Sequence, residues 1–102
     1  MESEVTQEKL DKYFDITGRA LDKVKLTTSG SIDWEAAGKD FLDMAQRYFS
    51  DAGYFAKKGD RVLAFAALNY AHGWLDAGAR LGLFDVDGDN VLFTVDKEMF
   101  PK

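Results

Sequence analysis

The sequence contains no cysteine, and this absence excludes several kinds of site. Disulfides, zinc ribbons, iron–sulfur clusters and thiol nucleophiles all require cysteine, so the chain by itself can form none of them. Hydrophobic residues nevertheless make up 46% of the 102 residues, which is typical of a globular protein rather than a disordered one. We therefore expect residues 1–102 to form a single domain.

Basic charge and long apolar runs are also scarce. Lys and Arg number 13 against 18 Asp and Glu, giving a net charge of -5, which argues against a nucleic-acid partner. The longest uncharged run, Val62 to Leu75, is shorter than the roughly 20 residues that a membrane span needs. The acidic start, Met1 to Glu4, lacks the basic and apolar regions of a signal peptide. We expect a cytoplasmic protein that binds neither nucleic acid nor membrane.

Apolar residues at steps of three and four predict a first helix from about Thr6 to Leu26, capped by Ser3 or Thr6. A second helix should begin near Asp33 and stop at Lys57-Lys58-Gly59. The next residue, Asp60, can cap a third helix at once. So short a junction predicts that the second and third helices are antiparallel neighbours.

The third helix, about Arg61 to Leu81, is apolar around most of its circumference. One stripe comprises Leu63, Ala66, Ala67, Tyr70, Trp74, Ala77 and Leu81, and a second comprises Phe65, Leu68, His72, Leu75 and Ala79. A helix of this kind must be covered on more than one side, by the C-terminal tail or by a second subunit. Its many small residues would let a neighbouring backbone approach closely. The interface candidates are Phe65, Leu68 and Leu75.

The tail begins after Gly82, with strand-type residues at 84–86 and 91–95 around the turn residues 87–90. The fold class expected from the sequence is all-α: an antiparallel three-helix bundle with a short C-terminal β-like hairpin or extended strap.

Four polar residues of the third helix could carry chemistry: Asn69, His72, Asp76 and Arg80. His72 and Asp76 lie one helical turn apart, so the carboxylate could orient the imidazole as a general base, or both could ligate a metal. The structural alternative is a partly buried histidine beside an ordinary Asp76–Arg80 pair. Because no third catalytic group is identifiable by spacing, we assign no catalytic residue, metal or cofactor.

Two weaker features favour structural explanations. Residues 85–90, with Asp96, have the acidic spacing of a calcium loop but the wrong glycine position and no final Glu, so a turn is the better interpretation. Aromatic side chains at helical spacing more often form core than a small-molecule site. They are Tyr48, Phe49, Tyr54, Phe55, Phe65, Tyr70 and Trp74.

The second helical hairpin resembles a known family. The residues that carry the resemblance are 48–55, Lys58-Gly59-Asp60 and 69–82, and the run from Tyr70 to Gly78 is the most specific. They are similar to the archaeal family of small helical proteins catalogued as domain of unknown function 357. The resemblance implies a compact helical bundle, an archaeal origin, and no assigned activity or cofactor.

The leading functional hypothesis is a non-enzymatic interaction module that self-associates through the third helix. Its partner would be a second copy, as a homodimer, or an unidentified protein. The alternative is a small-ligand or metal-binding protein, or a minor enzyme, that uses the His72/Asp76 face.

Overall fold

A computed structural model describes residues 4–95 of the chain. It contains three helices: α1 (Gln7–Lys23), α2 (Trp34–Lys57) and α3 (Arg61–Leu81). The chain divides into two compact units, Met1–Ser31 with α1 and Ile32–Lys102 with α2 and α3. None of the described helices is both long enough and apolar enough to cross a membrane.

Helix α1 begins where the sequence predicts but ends earlier. Thr6 caps it, because its hydroxyl accepts a hydrogen bond from the Lys9 amide at 3.1 Å. The helix ends at Lys23 rather than near Leu26, since the β-branched Val24 adopts an extended conformation with φ -66° and ψ 133°. No residue of α1 is buried. Its exposed apolar side chains include Leu10, Tyr13, Phe14 and Leu21.

The bounds of α2 and α3 confirm the predicted capping residues. The Asp33 carboxylate accepts from the Ala36 amide, and the Asp60 carboxylate accepts from the Leu63 amide, each at 3.0 Å. Between the two helices Gly59 has φ +79°, a left-handed conformation that glycine adopts at little cost. Gly82 ends α3 in the same way, with φ +90°.

Helices α2 and α3 pack together as a helical hairpin. Phe41, early in α2, contacts Trp74, late in α3, with ring centroids 5.0 Å apart. The buried residues of α2 and α3 are small: Ala45, Ala52, Ala64, Ala67, Ala71 and Gly78. We call them the alanine row. Such small side chains allow the helix axes to approach closely, so the larger apolar residues flank the alanine row.

This arrangement corrects the expectation that the aromatic residues form a core. Phe49, Tyr54, Phe65 and Tyr70 are all more than half exposed. The remaining members of the predicted set, Tyr48, Phe55 and Trp74, are partly buried. No large side chain in the described part of the chain is fully buried, because the alanine row occupies the centre of the helix pair.

The segment after α3 packs back onto the hairpin of its own chain. No strand occurs between residues 4 and 95, so the predicted β-like hairpin is not confirmed. The Asp85 carboxylate accepts from the Asp87 amide, and the Asp89 carboxylate accepts from the amides of Val91 and Leu92. These local bonds produce turns where a hairpin would have a ladder between strands.

Candidate functional site

One side of the α2–α3 hairpin carries an apolar groove of about 470 Å³. The residues that line it are Leu42, Ala45, Gln46 and Phe49 of α2, with Leu68, Asn69, Ala71, His72 and Leu75 of α3. The alanines form its floor because they belong to the alanine row. Phe65 stands on the same stripe of α3 as Leu68, His72 and Leu75, at helical spacing. We call the groove together with Phe65 the groove face.

The predicted interface residues on this face are largely accessible. The N-terminal half of α3, nearer the Gly59 turn, is the more exposed: Phe65 is 67% exposed and Leu68 is 43% exposed. Leu75, further along the helix, is half-buried. From α2, Phe49 is 68% exposed and Leu42 is 42% exposed. Phe65 and Leu68 are therefore not core residues of this hairpin, and their role in an interface stays a prediction.

The opposite side of the hairpin carries a row of aromatic contacts. Tyr48 and Tyr70 meet edge to face with ring centroids 4.4 Å apart, and Tyr70 lies 6.3 Å from Trp74. Phe41 completes the row through its contact with Trp74. Edge-to-face pairs of this kind are worth about 0.5–1.5 kcal/mol beyond the area they bury. This aromatic row ties α2 to α3 and leaves Tyr70 half exposed.

His72 and Asp76 are neighbours, but their geometry is not that of an oriented general base. The His72 Nε2 atom lies 3.6 Å from Asp76 Oδ1, which is too long for a hydrogen bond. The same Oδ1 accepts a hydrogen bond of 2.9 Å from the backbone amide of Thr94. The His72 ring is half exposed and stacks on the Phe93 ring, with centroids 6.3 Å apart and planes 26° apart. Both side chains therefore hold the tail against α3.

The other two polar candidates, Asn69 and Arg80, differ in their positions. Asn69 lines the groove beside His72. Arg80 is exposed, and the ionisable side chain that the structure pairs with Asp76 is His72. Nowhere in residues 4–95 do three His, Cys, Asp or Glu side chains come together in a way that could hold a metal ion. Asn69 and His72 share the groove, and Asp76 lies beside His72 at its edge.

The acidic loop after α3 uses its carboxylates locally. Asp85 and Asp89 accept backbone hydrogen bonds within the turns, and Asp87 takes a left-handed φ of 54°. This geometry agrees with the turn interpretation of residues 85–90. Asp96, the last position of the calcium-like spacing, lies outside the described residues.

Sequence reasoning missed the contribution of α2 to the groove face and the bond from Thr94 to Asp76. A signal for the first exists, because Leu42 and Phe49 are seven residues apart and flank Ala45. No signal exists for the second, because it joins positions 18 residues apart.

Comparison with known proteins places these features in one family. The family model described as "Protein of unknown function (DUF357)" matches residues 12–84, which include α2, α3 and most of α1. Searches of curated proteins and of solved structures found no match.

Proposed function

We propose that this chain, which belongs to the protein family of unknown function DUF357, is a non-enzymatic interaction module that self-associates through α3. The observation that carries the proposal is the groove face, where Phe49 and Phe65 are each about two-thirds exposed beside an open apolar groove. A contiguous exposed apolar patch on a small protein marks an interaction surface.

The charge distribution supports an interface at this face. Charged residues make up 30% of the chain, yet none of the Asp, Glu, Lys or Arg side chains lines the groove. The cores of protein interfaces are depleted in charged residues and enriched in aromatic ones. The charged residues that give the net charge of -5 lie outside the groove, and they make two copies repel each other. Because salt screens this repulsion, added salt should strengthen the association.

The shape of the face favours a second copy as the partner. A two-fold dimer brings the same patch of both copies together, so a patch that pairs with itself must offer both a projection and a hollow. The Phe65 ring provides the projection and the groove provides the hollow. Burying one phenylalanine fully is worth about 1.5–3 kcal/mol, and the symmetry doubles that contribution.

Light scattering across a dilution series tests the proposal. We expect the wild type to be dimeric at high micromolar concentration, and the double variant Phe65→Glu/Leu68→Glu to be monomeric with unchanged circular dichroism. Leu26→Glu is the matched control, because Leu26 is 95% exposed and is not among the residues that line the groove. Phe49→Glu, on α2, repeats the test in case the α3 variant unfolds. A monomeric wild type, or a dimeric Phe49→Glu variant, would contradict the proposal.

We further propose that α1 completes an antiparallel three-helix bundle, so that residues 1–102 form one domain. The support is that α1 has an apolar stripe, including Phe14 and Leu21, whose side chains are about 70% exposed. Hydrogen exchange tests this, since amides of α1 and α3 should then exchange through one common opening. Much faster exchange throughout α1 would argue for an independent helix.

A small-ligand site is the second candidate function. The groove volume lies within the range typical of ligand pockets, and Gln46, Asn69 and His72 supply polar groups at its wall. Sodium octanoate and zinc chloride are suitable probes in a thermal-shift assay. A rise in Tm that His72→Gln abolishes would favour this function, whereas no rise with either probe would eliminate these two ligand classes.

A cytoplasmic location and an archaeal source complete the proposal. The location rests on the sequence composition and the source on the family resemblance. A protein partner other than a second copy remains the alternative to self-association.

A further inference from the structure

The segment from Leu83 to Val95, which we call the strap, is fastened to the hairpin at both ends. At its start, the Phe84 ring lies against Gly78, where an added Cβ would be only 2.7 Å from Phe84 Cδ2. At its end, the Thr94 amide donates to Asp76 Oδ1 at 2.9 Å and Phe93 stacks on His72. The strap therefore returns to α3 close to the groove face.

The far end of the strap has one side-chain hydrogen bond to α3. Among the side-chain hydrogen bonds of residues 4–95, only the Thr94–Asp76 bond joins positions more than four apart in sequence. Val91 and Leu92, just before this end, are 90% and 61% exposed, so they add little packing. The Thr94–Asp76 bond and the Phe93–His72 ring contact are therefore the two contacts through which closure of the strap can be tested.

The closed strap shares residues with the groove face. His72 lines the groove and at the same time carries the Phe93 ring. Along the apolar stripe, exposure falls from Phe65 to Leu68 and on to the half-buried Leu75, toward the side where the strap is seated. His72 is therefore the residue that the groove and the closed strap share.

We propose that the strap is an autoinhibitory contact that limits self-association. When it is closed on His72 and Asp76, the Phe93 ring lies on His72 and so occupies part of the His72 side of the groove face. When its end opens, the face extends along α3 past His72, and the dimer gains contact area. This inference rests on the proposed function, because it concerns the regulation of the same surface. Opening and dimerisation are then linked, so destabilising the closed strap shifts the population toward the dimer.

Substitution of Asp76 tests the attachment of the strap without changing a residue that lines the groove. Asp76→Ala removes the acceptor, and we expect the Thr94 amide to exchange about tenfold faster and the dimer Kd to fall about tenfold, the effect of losing about 1.4 kcal/mol. Asp76→Asn keeps an oxygen acceptor and should give a smaller change in both. Asp85→Ala is the matched control, because the Asp85 carboxylate bonds only to the nearby Asp87 amide. Exchange is measured by NMR and Kd by light scattering across a dilution series.

The two measurements, Thr94 amide exchange and dimer Kd, test different parts of the proposal. Unchanged Thr94 exchange in Asp76→Ala would overturn the closed strap itself. Faster exchange with an unchanged Kd would overturn the regulation while leaving the strap and the dimer in place. If the wild type and Asp76→Ala are both monomeric at every concentration, the proposed function and its regulation both fail, whatever the exchange data show.

Discussion

Two glycines of α3 should respond in opposite ways to replacement by alanine. An alanine in a helix interior is favoured over glycine by about 1 kcal/mol. A Cβ at Gly73 meets nothing within 4 Å, so Gly73→Ala should raise the free energy of unfolding by about 1 kcal/mol. A Cβ at Gly78 would lie 2.7 and 2.9 Å from the Cδ2 and Cζ atoms of Phe84, so that ring must move.

Comparison of the two variants gives the free-energy cost of displacing the Phe84 ring. Overpacking a closely packed site costs about 1–3 kcal/mol, and the helix-propensity gain of about 1 kcal/mol offsets part of it. Gly78→Ala should therefore lower the free energy of unfolding by about 0–2 kcal/mol. Because the propensity gain is common to both variants, their difference isolates the cost of displacing Phe84, about 1–3 kcal/mol.

Urea unfolding followed by circular dichroism measures both variants, with the same slope expected for each. Repeating Gly78→Ala in a Phe84→Ala background completes a double-mutant cycle. There the substitution should stabilise the protein as much as Gly73→Ala does, because the obstructing ring is gone. Equal stabilisation by Gly73→Ala and Gly78→Ala in the wild-type background would refute the placement of Phe84 on Gly78.

The turn between α2 and α3 gives two further predictions. Asp60→Ala should lower the free energy of unfolding by about 1 kcal/mol, because it removes the cap on the Leu63 amide, while Asp60→Asn should cost much less; thermal unfolding showing equal losses would contradict the cap. Gly59→Ala should cost about 1–2 kcal/mol in urea unfolding, because φ is +79°, and Gly59→Asn should cost less. No loss in Gly59→Ala would show that the turn does not need a left-handed residue.

The helix bounds could be predicted from sequence because caps are local. Asp33 and Asp60 each bond to an amide three residues ahead, and Gly82 ends α3 by its own conformation. All the information for such a boundary lies within one turn of helix. The end of α1 was predicted less well, because no glycine or proline stands near Val24 to mark it.

The candidate site was predicted only in part. The stripe of Phe65 and Leu68 was correctly placed on one face of α3, because a regular helix fixes which residues share a side. The pairing of His72 with Asp76 followed from the same rule. That Asp76 would instead bind the Thr94 amide depends on the path of the strap, which helical periodicity does not contain.

The sequence by itself determined that residues 4–95 contain three helices, where α2 and α3 begin and end, and that α3 is apolar on more than one side. Only the tertiary structure decided which apolar residues are buried. Both the alanines and the aromatic residues recur at helical spacing, so periodicity alone cannot show which of them are buried. Because α2 and α3 approach closely, the small residues of the alanine row are buried, and Phe49 and Phe65 stay on the surface.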